Sequence, residues 1–395
     1  MQSALEGYRL VDFTRHQAGP VSTVMLADMG MEIIKIESRK RRDAQRMLPT
    51  KPPDYDGGDC GGSFAVFNRG KKSVSLDVST PKGLDLAKEL IRISDVVVDN
   101  FSTGVMKKLG LDYESLREVK PDIIVATLSG FGETGPYKDY VAFAKPVQAY
   151  AGMIDIMGNA DGPPEEPAAA FGDNILGTYS AFAILSALFH REETGEGQAI
   201  DLSMSESVIC NLPEAVMSYT MNGALQPRNG NRDDIMAPHN VYRCREGEDS
   251  WVAIAVASDD EWKGLLGVIE QPNLELSRFN DEDEVDKLIQ EWTLRHTRHE
   301  VMEKMQKIGV SAFPVMDTGD LSKDPHLKER KFFVEVDQPG VAEWVFSPSW
   351  KMSDTPGGIQ GPPPLEGQDN AYVYHELLGL DKDEIKALVK EKIIF

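Results

Sequence analysis

The form of its apolar runs constrains this chain most. Ile33-Ile34, Val96-Val97-Val98 and Ile123-Ile124-Val125-Ala126 are continuous rather than alternating. A strand with one face in water alternates apolar and polar residues, whereas a strand covered on both faces does not need to. Between these runs lie segments with helix start signals. Thr80-Pro81 supplies an N-cap and a first-turn proline for an amphipathic helix over Lys82–Ile93, and Pro20 opens a helix that ends at Asp28. The predicted strands are Tyr8–Phe13, Glu32–Ile36, Ser73–Val78, Asp95–Val98 and Ile123–Leu128. This β-α-β rhythm predicts an α/β fold with a parallel sheet and helices on both faces.

Further along, a long apolar helix is predicted over Asn174–His190, a turn over Glu192–Gly197, a strand over Gln198–Leu202 and an apolar helix over Glu206–Tyr219. The polar, glycine-containing stretch Gly223–Asp234 reads as a linker. Beyond it come a strand (Trp251–Ala257), an amphipathic helix (Arg298–Ile308) and a strand (Ser311–Asp317). A Pro/Gly-rich segment, Pro356–Pro364, and a charged helix, Lys382–Lys392, complete the chain. A length of 395 residues suits two domains.

Composition narrows the partners. A net charge of −22, from 42 basic and 64 acidic residues, makes nucleic acid an unsuitable partner. An anionic small molecule needs a local basic pocket. The dense basic cluster Arg39-Lys40-Arg41-Arg42 reads by itself as a solvated loop. No window has the apolar length of a membrane span, and Met1–Glu6 lacks the regions of a signal peptide. Three cysteines, Cys60, Cys210 and Cys244, are odd in number and far apart, and support neither a disulfide framework nor a zinc site. A reducing cytoplasm is expected.

Gly130-Phe131-Gly132-Glu133-Thr134-Gly135 matches G-x-G-x-x-G after a strand, but a nicotinamide site needs a helix to begin inside the glycines. Here Pro136-Tyr137-Lys138-Asp139-Tyr140 follows, so the segment reads as a turn that lets backbone approach a ligand. No phosphate-cradling G-x-x-x-x-G-K-S/T loop and no G-x-S-x-G elbow occurs. His296 and His299 lie one helical turn apart without a nearby cysteine, so no metal is expected. His239 reads as a hydrogen-bonded loop residue.

Phe171-Gly172-Asp173-Asn174 puts one carboxylate at the start of the long helix. Taken alone, Asp173 is an N-cap. The surrounding pattern changes that reading. Leu10-Val11-Asp12-Phe13 leads into Gln17-Ala18-Gly19-Pro20. Then follow Leu26-Ala27-Asp28-Met29-Gly30, Ile33-Ile34-Lys35-Ile36-Glu37 and Asn68-Arg69-Gly70-Lys71-Lys72-Ser73. Asp99-Asn100-Phe101, Ser129-Gly130-Phe131-Gly132 and Thr194-Gly195-Glu196-Gly197-Gln198 complete the series. This ordered set resembles the class III CoA-transferases, the formyl-CoA transferase and carnitine CoA-transferase-like family. The resemblance covers about residues 5–210 closely and the remainder loosely.

The resemblance implies a Rossmann-like large α/β domain with a parallel sheet, plus a smaller α+β domain. It implies an interlaced homodimer, or a heteromer with a similar subunit. The implied boundaries are 1–222 for the first part of the large domain, 223–329 for the small one, and 330–395 for a C-terminal segment that returns to the large domain. The implied activity moves CoA from an acyl-CoA to a carboxylic acid through an aspartyl-CoA thioester, with CoA as substrate and product, no metal and no nucleotide cofactor. The nucleophile falls on Asp173, and Gln17 and Ala18 line the site. Asn100 and Phe101 meet the pantetheine, Leu76 lies near the adenine, and Arg39 and Lys108 take the phosphates. Tyr140 and Phe143 complete the binding set.

The chain also departs from the family. A tetraglycine loop of formyl-CoA transferases is replaced by Pro227-Arg228-Asn229-Gly230-Asn231. An aromatic–acid pair becomes Phe143-Ala144-Lys145-Pro146 before Gln148-Ala149. The lost carboxylate and added cation suggest a bulkier or dicarboxylic substrate, with succinyl-CoA as donor. Two alternatives remain: an α-methylacyl-CoA racemase-like isomerase, and a non-catalytic subunit of a heteromeric transferase.

Overall fold

Leu10, Val11, Val96, Val97, Val98 and Ile124 are all fully buried, as expected for strands covered on both faces. The computed structural model describes residues 3–47, 61–336 and 344–395, and Cys60 lies outside them. In chain order its first elements are β1 (Arg9–Asp12), α1 (Ala18–Asp28), β2 (Glu32–Glu37), α2 (Gly62–Asn68), β3 (Lys72–Ser75), α3 (Pro81–Arg92) and β4 (Val96–Asp99). There follow α4 (Val105–Leu109), α5 (Tyr113–Val119), β5 (Ile124–Ser129), α6 (Ala144–Tyr150), α7 (Phe171–Thr194), β6 (Ala199–Ser203), α8 (Met204–Ile209) and α9 (Pro213–Asn222).

The six strands form one sheet in the order β3-β2-β1-β4-β5-β6, with every pairing parallel. The strand order reverses between β1 and β4. Connections leaving their carboxyl ends diverge there and open a crevice. Thr80 caps α3, its Oγ1 accepting the Gly83 N–H at 3.1 Å, with Pro81 as first residue. Helix α1 is buried almost all round and crosses α7 at Gly177, where a Cβ would lie 2.6 Å from the Ala18 carbonyl oxygen.

Three expectations about helices change. Helix α1 starts at Ala18, so Pro20 is its third residue, where a missing N–H still costs no intrahelical bond. The single helix expected over Glu206–Tyr219 is two, α8 and α9, because Pro213 cannot donate and begins the second. Helix α7 begins at Phe171 and runs to Thr194, ending at Gly195 in the left-handed region.

The chain divides into two compact units. The first contains Met1–Met153, Pro167–Met217 and His326–Phe395. Within it the C-terminal segment covers the β3 edge of the sheet: Asn370 Oδ1 accepts the Ser75 N–H at 2.9 Å, and the buried Tyr374 hydroxyl donates to the Ser75 carbonyl at 2.8 Å. The second contains Ile154–Glu166 and Ser218–Pro325, so it takes in a segment from before α7 that the expected boundaries left in the large domain. It is built on an antiparallel sheet of β7 (His239–Arg243), β8 (Trp251–Ala255) and β9 (Ser311–Pro314). Helices α10 (Asp259–Val268), α11 (Glu282–Thr293) and α12 (Arg298–Gln306) pack with it around Val252, Leu265, Ile289, Trp292 and Val301. In this unit the Gly230 N–H donates to the Gly158 carbonyl at 3.0 Å and Arg228 Nη1 to the Asp155 carbonyl at 2.9 Å.

His296 stacks on Trp292 with ring centroids 4.1 Å apart, and His239 Nδ1 meets the Asn231 carbonyl, so both have structural partners. Among the described residues no cluster of His, Cys, Asp and Glu is arranged to hold a metal ion. No described helix is long and apolar enough to cross a membrane. Cys210 and Cys244 are free thiols.

Candidate active site

The loop after β1 is built on a buried charge network. The fully buried Asp12 accepts the Thr14 N–H at 2.8 Å, the Thr23 hydroxyl at 2.8 Å and Lys71 Nζ at 3.1 Å. Burial opposes its charge, but Lys71 and Lys35 outweigh burial and hold its carboxyl below the usual range. Lys35 Nζ donates to the Thr14 carbonyl at 2.7 Å, and the His16 N–H donates to Asp43 at 3.2 Å. Held from both sides, His16 adopts φ +61, a left-handed conformation that a side chain rarely takes unaided. Arg15, His16 and Gln17 are thereby presented at the carboxyl end of β1.

The end of β4 meets this loop. Asn100 clamps Arg15 through both backbone groups: Oδ1 accepts the Arg15 N–H at 2.9 Å, and Nδ2 donates to the Arg15 carbonyl at 2.7 Å. The preceding Asp99 accepts the Phe101 N–H at 3.1 Å and the Thr127 hydroxyl at 3.0 Å. Burial pushes the Asp99 carboxyl up to about 7.

Asp173 sits inside the first turn of α7 and is not its N-cap, because the helix begins at Phe171. The capping role belongs to Gln148 on α6, only 2 % exposed, whose Oε1 accepts the Gly172 N–H at 2.7 Å. Among the described residues nothing hydrogen-bonds to the Asp173 carboxylate. Its position at a helix start does not hold the carboxyl low; burial raises it to about 6, with His16 opposing. Gln17 Nε2 donates to Asn174 Oδ1 at 3.0 Å and so fixes the amide beside the carboxylate.

These elements surround a cavity of about 580 Å³ at the switch point of the sheet. Gln17, Ala18, Asn100, Phe101, Tyr140, Phe143 and Asp173 all line it. Arg39, Leu76 and Lys108 do not. Leu76 is 2 % exposed and packs in the core, with its N–H donating to the Glu37 carbonyl at 2.7 Å. Arg39 is exposed over the Phe395 ring at 5.6 Å, and Lys108 is exposed on α4. The basic cluster is exposed, as its solvated-loop reading expects, and two of its members are also paired: Lys40 with Asp77, and Arg42 with Glu366 at 2.9 Å.

Among the polar lining or supporting residues not picked out from the sequence are Arg15, His16, Gln45, Ser129, Lys138 and Gln148. The first two adjoin Gln17, a signal that was available. Gln148 reaches Gly172 across 24 residues, which no local pattern reveals. Among the described residues, Ser129 Oγ and Gln45 Oε1 are buried without a hydrogen-bond partner. The glycine segment after β5 is a turn, with Gly132 and Gly135 at φ +80 and +83, and the next helix starts only at Ala144.

A carboxylate with no hydrogen bond and a raised pKa is ionised at neutral pH yet poorly solvated. Those are the properties of an oxygen nucleophile. The profile of CoA-transferase family III matches residues 5–370. Succinyl-CoA–D-citramalate CoA-transferase of Chloroflexus aurantiacus is 31% identical over 99% of this chain and 98% of its own length. Succinyl-CoA:mesaconate CoA-transferase of Haloarcula hispanica is 34% identical over 94% of this chain and 96% of its own. The crystal structure of a CAIB/BAIF family protein from Brucella suis superposes with a TM-score of 0.87 at 30% identity, covering 95% of this chain and 100% of that one. With a Rossmann-like parallel sheet and a site at its switch point, this chain belongs to CoA-transferase family III, an enzyme class that exchanges CoA between acids.

Proposed function

We propose that this enzyme moves CoA from succinyl-CoA to a second dicarboxylic acid, with Asp173 as nucleophile. One observation carries the reading. Among the described residues, the unbonded Asp173 is the sole carboxylate lining a cavity whose other charged side chains are Arg15, Lys138 and Lys145, in a chain of net charge −22. The named substrates of the citramalate and mesaconate relatives support both donor and acceptor.

The steps balance without a cofactor. An Asp173 oxygen attacks the thioester carbonyl, the C–S bond breaks, and CoA leaves as thiolate from a mixed anhydride. The thiolate attacks the Asp173 carbonyl carbon, and the donor acid departs as carboxylate, leaving an aspartyl-CoA thioester. An acceptor carboxylate then attacks that thioester, and the released thiolate takes the acceptor acyl group, restoring Asp173. No proton is consumed. Gln17, fixed by Asn174, is placed to donate to the oxyanions formed at each attack. Asn100 acts by holding Arg15, while Phe101, Tyr140 and Phe143 supply apolar contact to the pantetheine and acyl chain. Arg39 and Lys108, outside the cavity, serve the phosphate end of CoA.

Exposed Phe182 and Phe189 on α7 suit an assembled enzyme, either a homodimer or a heteromer with a similar chain, working in a reducing cytoplasm. Mass spectrometry after incubation with succinyl-CoA tests the central step. A CoA adduct on Asp173, absent in Asp173→Ala, is expected. Full exchange activity in Asp173→Ala refutes the mechanism. Deuterium entering the α-carbon without an acceptor acid points instead to a racemase, and an inactive purified chain to a non-catalytic subunit.

A further inference from the structure

Arg15 is the one arginine lining the cavity, and its guanidinium has no carboxylate within ion-pairing distance among the described residues. This sets it apart from the buried arginines of its unit. The buried Arg46, Arg69 and Arg191 are paired with Glu37, Asp28 and Asp95. Arg15 is half-buried; burial and the neighbouring Arg41 work against its charge, with Asp43 and Glu37 only partly opposing. A cation held in such a place, with no carboxylate in ion-pairing contact, gains from an incoming anion.

The side chain is also positioned. Asn100 grips the Arg15 backbone through donor and acceptor at 2.9 and 2.7 Å, and the guanidinium lies 5.4 Å from the Phe101 ring centroid. A fixed backbone and a planar fork beside an aromatic ring are suited to grasp a carboxylate with two parallel hydrogen bonds. A dicarboxylic acyl unit brings such a group. One of its carboxyl carbons must reach Asp173, and the other must enter the same half-buried space, where an unpaired anion is costly.

We propose that Arg15 binds the non-reacting carboxylate of the acyl unit, in donor and acceptor alike, and so selects dicarboxylic substrates. This rests on the function proposed above. Succinyl-CoA and butyryl-CoA test it, because they share chain length and differ in the distal carboxylate. The readout is kcat/KM for formation of the aspartyl-CoA adduct. Arg15→Gln is expected to lower it about 100-fold for succinyl-CoA and less than about threefold for butyryl-CoA, because the interaction lost is a charged, oriented one. Arg15→Lys keeps the charge without the fork and should fall between the parent and Arg15→Gln. Thermal melting of both variants checks folding, and should Arg15→Gln fail to fold, Arg15→Lys still tests the discrimination.

Equal losses for both thioesters, as expected if Arg15 binds the phosphates of CoA, overturn the proposal. So does an unchanged preference for succinyl-CoA. A parent enzyme that uses both thioesters equally leaves CoA transfer intact and removes the role of Arg15. A parent that forms no adduct with either removes both readings.

Discussion

Gln148 holds the turn that carries the nucleophile: its Oε1 accepts the Gly172 N–H at 2.7 Å, one residue before Asp173. A neutral acceptor there satisfies the helix start and leaves the Asp173 carboxylate free. Had Asp173 capped its own helix, its oxygens would be occupied by backbone N–H groups and its attack on a thioester blunted.

Replacing this cap has two separable effects. Gln148→Leu strands a buried N–H and is expected to cost about 1–3 kcal/mol by urea denaturation, with a lower kcat as the first turn frays. Gln148→Glu keeps an acceptor and restores most of the stability. Its added charge moves the acid limb of the pH–rate profile to higher pH.

Asp173 makes activity and stability depend on pH in opposite senses. With its carboxyl near 6, kcat/KM should fall about tenfold per unit below pH 6 as the nucleophile is protonated. Its folded pKa lies above that of the unfolded chain, so its stabilising contribution is complete below about pH 4 and is lost as pH rises through 6. Asp173→Asn is therefore expected to be inactive yet more stable than the parent at pH 8, on the order of 1–2 kcal/mol, with the gap closing toward pH 4. Thermal melts across pH 4–8 read this out.

Lys71 and Asp12 are a fully buried pair, 3.1 Å apart. Lys71→Met removes the ion-pair partner of Asp12 and leaves Lys35 as its only nearby cation among the described residues, at an expected cost of about 3–5 kcal/mol. Asp12→Asn combined with Lys71→Met should recover much of that loss in a double-mutant cycle, because no net buried charge remains.

Gly177 lies where α7 crosses α1. Gly177→Ala puts a methyl group 2.6 Å from the Ala18 carbonyl and from Val21 Cγ1, so the two helices must part. A loss of about 1–3 kcal/mol is expected in chemical denaturation. Because α1 begins next to Gln17, kcat/KM should also fall at temperatures where the variant is fully folded.

The parallel sheet was legible in the chain because it rests on local facts. Continuous apolar runs such as Val96-Val97-Val98 exclude a half-solvated strand, and Thr80-Pro81 marks a helix start by its own chemistry. The breaks around Pro213 and the extra turn of α7 were misjudged, because helix ends depend on which partners satisfy the terminal backbone groups. The family motifs around Gln17, Asn100 and Asp173 gathered in one cavity, whereas Leu76 turned into the core and Arg39 and Lys108 lay outside it.

The order and character of the residues alone determined a doubly covered parallel sheet, a family and a single acid worth testing. Tertiary structure decided the state of that acid. Whether Asp173 is a cap or an unbonded carboxylate depends on Gln148, 24 residues earlier in the chain, taking the Gly172 N–H. Whether Arg15 is a surface charge or an unpaired cation in the site depends on Asn100, 85 residues away, gripping its backbone. Both are contacts between distant segments, and such contacts exist only once the sheet has brought its strand ends together.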